Sequence, residues 1–141
     1  AIRAGIVRSC HELSDGGIAA ALAEMCIGGR RGADIRLDCI KAAAACISKE
    51  SLSDQNLLFG ETNGCLIAEV QAADAAAFET CFASLSGSGR TAMRCFNIGQ
   101  TGGAAELAFS GTAGGDFGIS LESLINAFKG RQSAPDGRTS E

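Results

Sequence analysis

The sequence predicts an α+β domain: a mixed sheet of four or five strands with helices packed on it. Three observations carry that expectation. Segments with helical and strand patterning alternate along the chain. The last two strand-like segments, 91–98 and 105–109, are joined by a short glycine-rich turn and read as a hairpin, which a pure βαβ repeat would not contain. The chain has 141 residues, 46% of them hydrophobic, with 19 glycines and no Trp or Tyr, which suits one core and many tight turns.

The elements follow in order. Residues 2–13 read as the end of a helix or loop and then a strand ending near Leu13. From Gly17 to Ile27 the sequence is alanine- and leucine-rich with Glu24 its only charge, so a helix buried on most sides is expected. Gly28-Gly29 ends it, and Arg30-Arg31 lie where the helix dipole favours positive charge. Ile35 and Leu37 alternate with Asp34, Arg36 and Asp38, the pattern of a half-buried strand. Residues 40–49 are alanine-rich and helical in character. Ser51 to Phe59 form a second short helical stretch with Ser53 as its N-cap. Asn63-Gly64 marks a turn, and the apolar run from Cys65 to Val70 reads as a central strand. Asp74 to Leu85 carry an amphipathic stripe of Phe78, Cys81, Phe82 and Leu85. Ser86 to Gly89 form a loop. A long glycine-rich loop is expected over 110–118, and Ser120 caps a last helix with a stripe of Leu121, Leu124, Ile125 and Phe128. Residues 1–130 form the domain. The tail 131–141 continues a segment from Gly130 that has no periodicity and holds the only proline, so it reads as disordered.

Composition removes several functions. A net charge of −4 argues against nonspecific nucleic-acid binding and against an anionic membrane surface. No apolar run is long enough to span a bilayer, and no secretion signal opens the chain. The abrupt start, Ala1-Ile2-Arg3-Ala4-Gly5, reads as the middle of an element and suggests a piece of a longer protein. Seven cysteines are an odd number without any CxxC, so neither a complete disulfide framework nor a zinc site is expected. They read as small buried hydrophobes in a reducing cytoplasm. Cys10 adjoins His11, but neighbours on a strand point to opposite faces and are poorly placed to react together.

Three constellations could carry chemistry. The first is His11-Glu12-Leu13-Ser14-Asp15-Gly16-Gly17. On a strand, Glu12 and Ser14 share one face, so a carboxylate and a hydroxyl meet at the mouth of a helix. Free N–H groups there favour phosphate, and a carboxylate beside phosphate suits Mg²⁺. The bland alternative is that Ser14 or Asp15 caps the helix, Glu12 is solvated and His11 is a hydrogen-bonded structural residue. The second is Gly60-Glu61-Thr62-Asn63-Gly64, either a ligand-touching turn or an ordinary helix-to-strand turn. The third is Gly99, Gly102 and Gly103 with Gly111, Gly114, Gly115 and Gly118, either a phosphate lining or plain loop geometry; Asp116 lies in that loop. No Walker A, dinucleotide fingerprint or serine-hydrolase elbow occurs.

The stretch from His11 to Met25 resembles the H-D-x-S-D-G-G-L-x-x-x-L-A-E-M segment of the phosphoribosylformylglycinamidine synthases. Leu58-Phe59-Gly60-Glu61-Thr62 is similar to their L-F-x-E-S turn, Ile98 to Gly103 to their I-G-x-V-G-G turn, and Ile119 to Leu124 to the start of their closing helix. These matches run in family order over about residues 3 to 130. The resemblance implies the C-terminal domain of a synthetase half in the aminoimidazole ribonucleotide synthetase superfamily. It implies an ATP- and glutamine-dependent C–N ligase of purine biosynthesis, fed with ammonia by a glutaminase unit. The partners it implies are the remaining synthetase domains and the glutaminase, with a homodimer as a further option. The cofactors it implies are ATP or ADP and Mg²⁺. The family's metal-binding aspartate falls at Glu12, and its nucleotide-contacting serine at Ser14. Asp15, Gly16 and Gly17 would complete the anion site. The fragment alone is expected to be inactive. Glu12 departs from the family aspartate by one methylene, which displaces the carboxylate by more than an ångström. A scaffold without a ligand, or a domain of a relative such as selenophosphate synthetase, is the competing expectation.

Overall fold

Two sheets organise the chain, and no backbone pairing joins them among the described residues, 1–46, 51–83 and 93–132 of this computed structural model. The smaller is a ribbon. Strand β1, Val7–Glu12, pairs antiparallel with β3, Leu66–Val70, with Ser9 opposite Glu69 and His11 opposite Ile67. The larger sheet has the order β4-β2-β5-β6. Strand β2, Gly32–Arg36, runs antiparallel to β4, Gly99–Gly102, and parallel to β5, Glu106–Ser110. Strand β6, Phe117–Ser120, closes the far edge antiparallel to β5. The α+β reading with a mixed four-stranded sheet therefore holds.

Helix α1, Gly17–Gly29, supplies Ile18, Leu22 and Cys26 to the core. They meet Ala33 and Ile35 of β2 and Leu107 and Phe109 of β5. Helices α2, Leu37–Ala45, α3, Asp54–Phe59, and α5, Leu121–Gln132, add Leu37, Ile40, Leu57, Leu58 and Leu121 to the same core, with α3 and α5 packed against α1. Leu37 and Leu107 are almost wholly removed from water; full burial of a leucine contributes about 2 kcal/mol. A remaining helix, α4, Ala75–Ala83, follows a single 3₁₀ turn, Ala72–Asp74, and buries none of its residues. Its Phe78 and Phe82 rings contact each other, with centroids 4.8 Å apart.

Several expectations need correction. Among the described residues Cys65 to Val70 is not a central strand: β3 pairs with β1 alone, and Leu66 is 64% exposed. Residues 93–98 are irregular, and the strand lies instead at 99–102, where a turn was expected; residues 91 and 92 lie outside the described set. The expected hairpin is replaced by insertion of β2 between β4 and β5. The physical reason is burial: β2 carries Ala33 and Ile35 inward and gains a partner on both edges, while β4 contributes Gly99, which lets it approach closely. A Cβ at Gly99 would collide with the backbone of Asp34 and Ile35. The 110–118 loop stops at Asp116, because Phe117 stacks on Phe109 with ring centroids 5.1 Å apart and begins β6. Helix α2 starts at Leu37, which caps the half-buried strand at Arg36, and ends at Ala45; residues 47–49 of the expected helix lie outside the described set.

The end of α1 also differs. Gly28 and Gly29 remain helical, and Arg30 itself takes the left-handed conformation at φ 49°, its amide reaching the Ile27 carbonyl. Over the described residues the expected stripe is the half-buried face of α4: Phe78, Cys81 and Phe82 are partly covered, while Ala76, Ala77, Glu79 and Thr80 are exposed; Leu85 and Ser86 to Gly89 lie outside the described set. Helix α5 runs to Gln132, so the first residues of the expected tail are helical; 133–141 lie outside the described set. The cysteines are free, but only Cys26 is buried: Cys10, Cys46 and Cys95 are exposed, and Cys39, Cys65 and Cys81 are half-buried. Alternation on β1 turns Cys10 outward while its neighbour His11 faces inward.

Candidate functional site

Strand β1 ends at Glu12, and its alternation carries on into the loop. Leu13 is half-buried against the core, and Glu12 and Ser14 flank it, both exposed. The Leu13 amide donates to the Cys65 carbonyl at 3.0 Å, which extends the ribbon by one bond and pins this geometry. Glu12 and Ser14 are thus both exposed on either side of the half-buried Leu13.

The helix mouth follows. Gly16 is the N-cap of α1, at φ 80°, and no side chain bonds the helix end. Neither Ser14 nor Asp15 acts as the cap that the bland reading expected. The Ser14 carbonyl instead accepts the Gly17 amide at 3.0 Å. The first amides of α1 therefore lack a side-chain acceptor, the electrostatic arrangement that attracts an anion.

The glycine pair has its own structural cause. Gly17 is buried at φ 65°, and a Cβ there would lie 2.8 Å from the carbonyl oxygens of both Leu58 and Gly60. At Gly16 a Cβ would lie 2.8 Å from the Ala20 methyl. Two constellations that are forty residues apart in sequence thus meet here, since the root of the Gly60–Gly64 turn packs on the start of α1. Glu61, Thr62 and Asn63 are themselves exposed, and Gly64 turns the chain at φ 78°.

His11 belongs to the frame rather than to the site. Its Nδ1 lies 2.6 Å from the Glu12 carbonyl oxygen, and its Nε2 lies 2.8 Å from a Glu24 carboxylate oxygen. Both ring nitrogens face acceptors, so both carry protons in this geometry. The bond to the Glu12 carbonyl, and then the Glu24 carboxylate, hold the His11 pKa above its ordinary value. Glu24 was not anticipated as its partner. The signal was available: it is the only charge in an otherwise apolar helix, and one placed there needs something to face.

The third constellation does not line an anion site. The Gly111 amide donates to Asp116 Oδ1 at 3.0 Å, and the Ala113 amide to Asp54 Oδ2 at 2.6 Å. Asp54 also pairs with Lys41 at 2.7 Å; that ammonium, and then the Ala113 amide, lower its pKa. The loop's donors are spent on the protein's own carboxylates. Gly99 and Gly118 sit where a Cβ would collide with the neighbouring strand, Gly102 has ordinary room for one, and Gly103 and Gly114 have open space around them.

Among the described residues no three His, Cys, Asp or Glu side chains converge as a metal cage. A cleft of about 760 Å³ takes in Cys26, Ile35, Glu69, Phe78, Phe96 and Thr101 and none of Glu12, Ser14 or Asp15. The uncapped helix start is the better candidate on chemical grounds.

The sequence profile of "AIR synthase related protein, C-terminal domain" matches residues 1–110. The chain belongs to that family. Among curated proteins it is 35% identical over 130 residues to phosphoribosylformylglycinamidine synthase subunit PurL of Synechococcus sp. (strain JA-3-3Ab). That match covers 90% of this chain and 15% of the relative, so the chain spans about one seventh of the protein it resembles. Among solved structures, T. maritima PurL complexed with ATP superposes with a TM-score of 0.68 at 13% identity, over 87% of this chain and 19% of that one. The structure of PurLQS from Thermotoga maritima gives a TM-score of 0.68 at 14% identity, over 87% and 19%. At such low identity these neighbours show the fold, and they agree with the family in it.

Proposed function

We propose that this domain is the C-terminal part of the synthetase unit of a phosphoribosylformylglycinamidine synthase, and that it contributes a Mg-nucleotide half-site to an ATP- and glutamine-dependent C–N ligase. The observation that carries the reading is the uncapped start of α1 beside an exposed carboxylate and hydroxyl. The curated similarity to PurL supports the parent enzyme. In this reading Ser14 donates to a phosphate oxygen of ATP or ADP. Asp15, Gly16 and Gly17 shape the turn whose backbone faces the anion, and the Gly17 contact with the 58–60 carbonyls holds that turn in register.

Glu12 fits Mg²⁺ as a single protein ligand. Mg²⁺ is commonly held by one or two carboxylates plus substrate phosphates, so a lone exposed carboxylate is compatible where an all-protein cage is absent. The metal would neutralise phosphate charge; the protein's own part is to orient Glu12 through β1 and to offer the helix amides. No helix of the described residues is long and apolar enough to cross a membrane, and a cytoplasmic location belongs to this reading. Its partners are the other synthetase domains and a glutaminase, without which the domain has no catalysis of its own.

A second reading has its own observation. Glu12 is longer than the family aspartate, which disturbs octahedral coordination and favours a scaffold or dimerisation module without a ligand. Isothermal titration of Mg-ADP into the full-length protein separates the two. Loss of binding in Glu12→Ala and Ser14→Ala supports the half-site; unchanged affinity in both sinks it.

A further inference from the structure

Glu69 joins the two sheets. It lies on the inward face of β3, opposite Ser9. Its Oε2 accepts the Ser9 hydroxyl at 3.0 Å, and its Oε1 accepts the Thr101 hydroxyl at 3.1 Å. Ser9 is on β1, and Thr101 is on β4, the edge strand of the larger sheet. One carboxylate therefore spans β1, β3 and β4, in a fold whose sheets share no backbone pairing among the described residues. The ribbon's other polar anchor is His11–Glu24 to α1, and its apolar anchors are Leu13 and Ile67 at the core's margin. The ribbon's inner face is thus held by few contacts, whereas the larger sheet is held by a buried apolar layer.

Position gives this bridge its consequence. Ser9 lies three residues before Glu12 on the same strand, and a strand transmits a shift along its length with little loss. We infer that Glu69 is a positioning residue: by tying Ser9 to Thr101 it sets the ribbon against the larger sheet and so places Glu12 and Ser14 at the α1 mouth. The positioning of a ligand site rests on the reading given under Proposed function; the mechanical tie does not. Ionised, Glu69 accepts from both hydroxyls, and charge-assisted bonds of this kind are the stronger ones. A glutamine at 69 keeps the reach and can still bond both hydroxyls, by accepting from one and donating to the other, whereas alanine breaks both arms.

The test uses the full chain as wild type, Glu69→Ala and Glu69→Gln, with two readouts. Amide hydrogen exchange should rise about fivefold to tenfold over 7–12 and 66–70 in Glu69→Ala, while 33–36 and 106–109 keep wild-type protection. Glu69→Gln should restore the ribbon to within about threefold of wild type. Equal loss across both sheets, or no loss in the ribbon, overturns the inference. If Glu69→Ala does not fold, Thr101→Val removes the arm to β4 alone, and the same selective loosening of the ribbon is expected; its absence overturns the inference equally. The second readout is the thermal shift on adding Mg-ADP, expected to shrink in Glu69→Ala and recover in Glu69→Gln. A wild type that shows no shift refutes the nucleotide reading and not the bridge, which the exchange pattern decides by itself.

Discussion

At the start of α5 the Ser120 hydroxyl accepts the Ser123 amide at 3.1 Å, and at the start of α3 Ser53 accepts the Asn56 amide at 3.2 Å. At the start of α1 a serine stands two residues before the cap glycine, and among the described residues no side chain caps that end. The first two ends are closed by the protein itself. The third is opened by Gly16 and Gly17, whose left-handed backbone turns the chain too sharply for Ser14 to reach the amides in the usual way. The difference teaches that serine near a helix start is not by itself a cap. What matters is which residue holds the cap position and in what conformation: the extended Ser53 bonds its helix, whereas the left-handed Gly16 has no side chain to offer.

The sharpest way to break the comparison is at Gly17. Gly17→Ala places a methyl against the Leu58 and Gly60 carbonyls at an unfavourable φ, and should destabilise the chain by roughly 2–4 kcal/mol in urea unfolding. A loss under ~1 kcal/mol would mean that the α1 start is free to move. Next comes Ser120→Ala, which removes a working cap and should cost about 1 kcal/mol by the same measurement.

The His11–Glu24 bond gives a smaller, pH-dependent effect. His11 binds its proton more tightly when folded, so the stabilisation is fully present below its ordinary pKa of 6.5 and disappears as pH rises through the raised folded value. Glu24 is half exposed, so solvent screening keeps the charge contribution to about 0.5 kcal/mol or less. The stability gap between wild type and Glu24→Gln, followed in urea across that range, should close toward high pH. A gap that widens instead would show that His11 is neutral in the fold. The smallest expected change is Ser14→Ala, within about 0.5 kcal/mol of wild type in stability, because the hydroxyl caps nothing. Its effect should fall on Mg-ADP affinity, the reverse of Ser120→Ala. If Ser14→Ala costs as much stability as Ser120→Ala, the two helix starts are alike after all.

What could be read in advance was what is encoded locally. The alanine-leucine run of α1, the serine caps of α3 and α5, and the alternation around His11 each need only a few neighbouring residues. The exposure of Glu12 and Ser14 around half-buried Leu13 follows from that alternation. What was hidden depends on partners far along the chain. Gly99 and Gly102 look like turn residues until β2 is placed beside them, where Gly99 proves to be a close-approach position. Cys65 to Val70 is apolar enough for a central strand, yet among the described residues it pairs on one edge only. The stripe of α4 has the expected spacing and is half-buried among the described residues, and periodicity alone does not say how deeply such a stripe is covered. Glu69 resembles any solvated strand acid until Ser9 and Thr101 are brought together around it.

The pairing of β2 also bears on how the chain acquires its shape as it is made. Residues 33–36 wait for 107–110 before their parallel ladder can form, and 7–12 wait for 66–70. Contacts so distant in sequence slow folding, because a large loop must close before any of them rewards the closure. At about 5–20 residues per second of synthesis, β2 emerges roughly 4 to 15 s before β5. During that interval Ala33 and Ile35 lie on a strand with both edges open, next to an α1 that already presents Leu22 and Cys26. Nascent chains of this domain should therefore be most vulnerable to aggregation and to chaperone capture just before residue 110 leaves the ribosome.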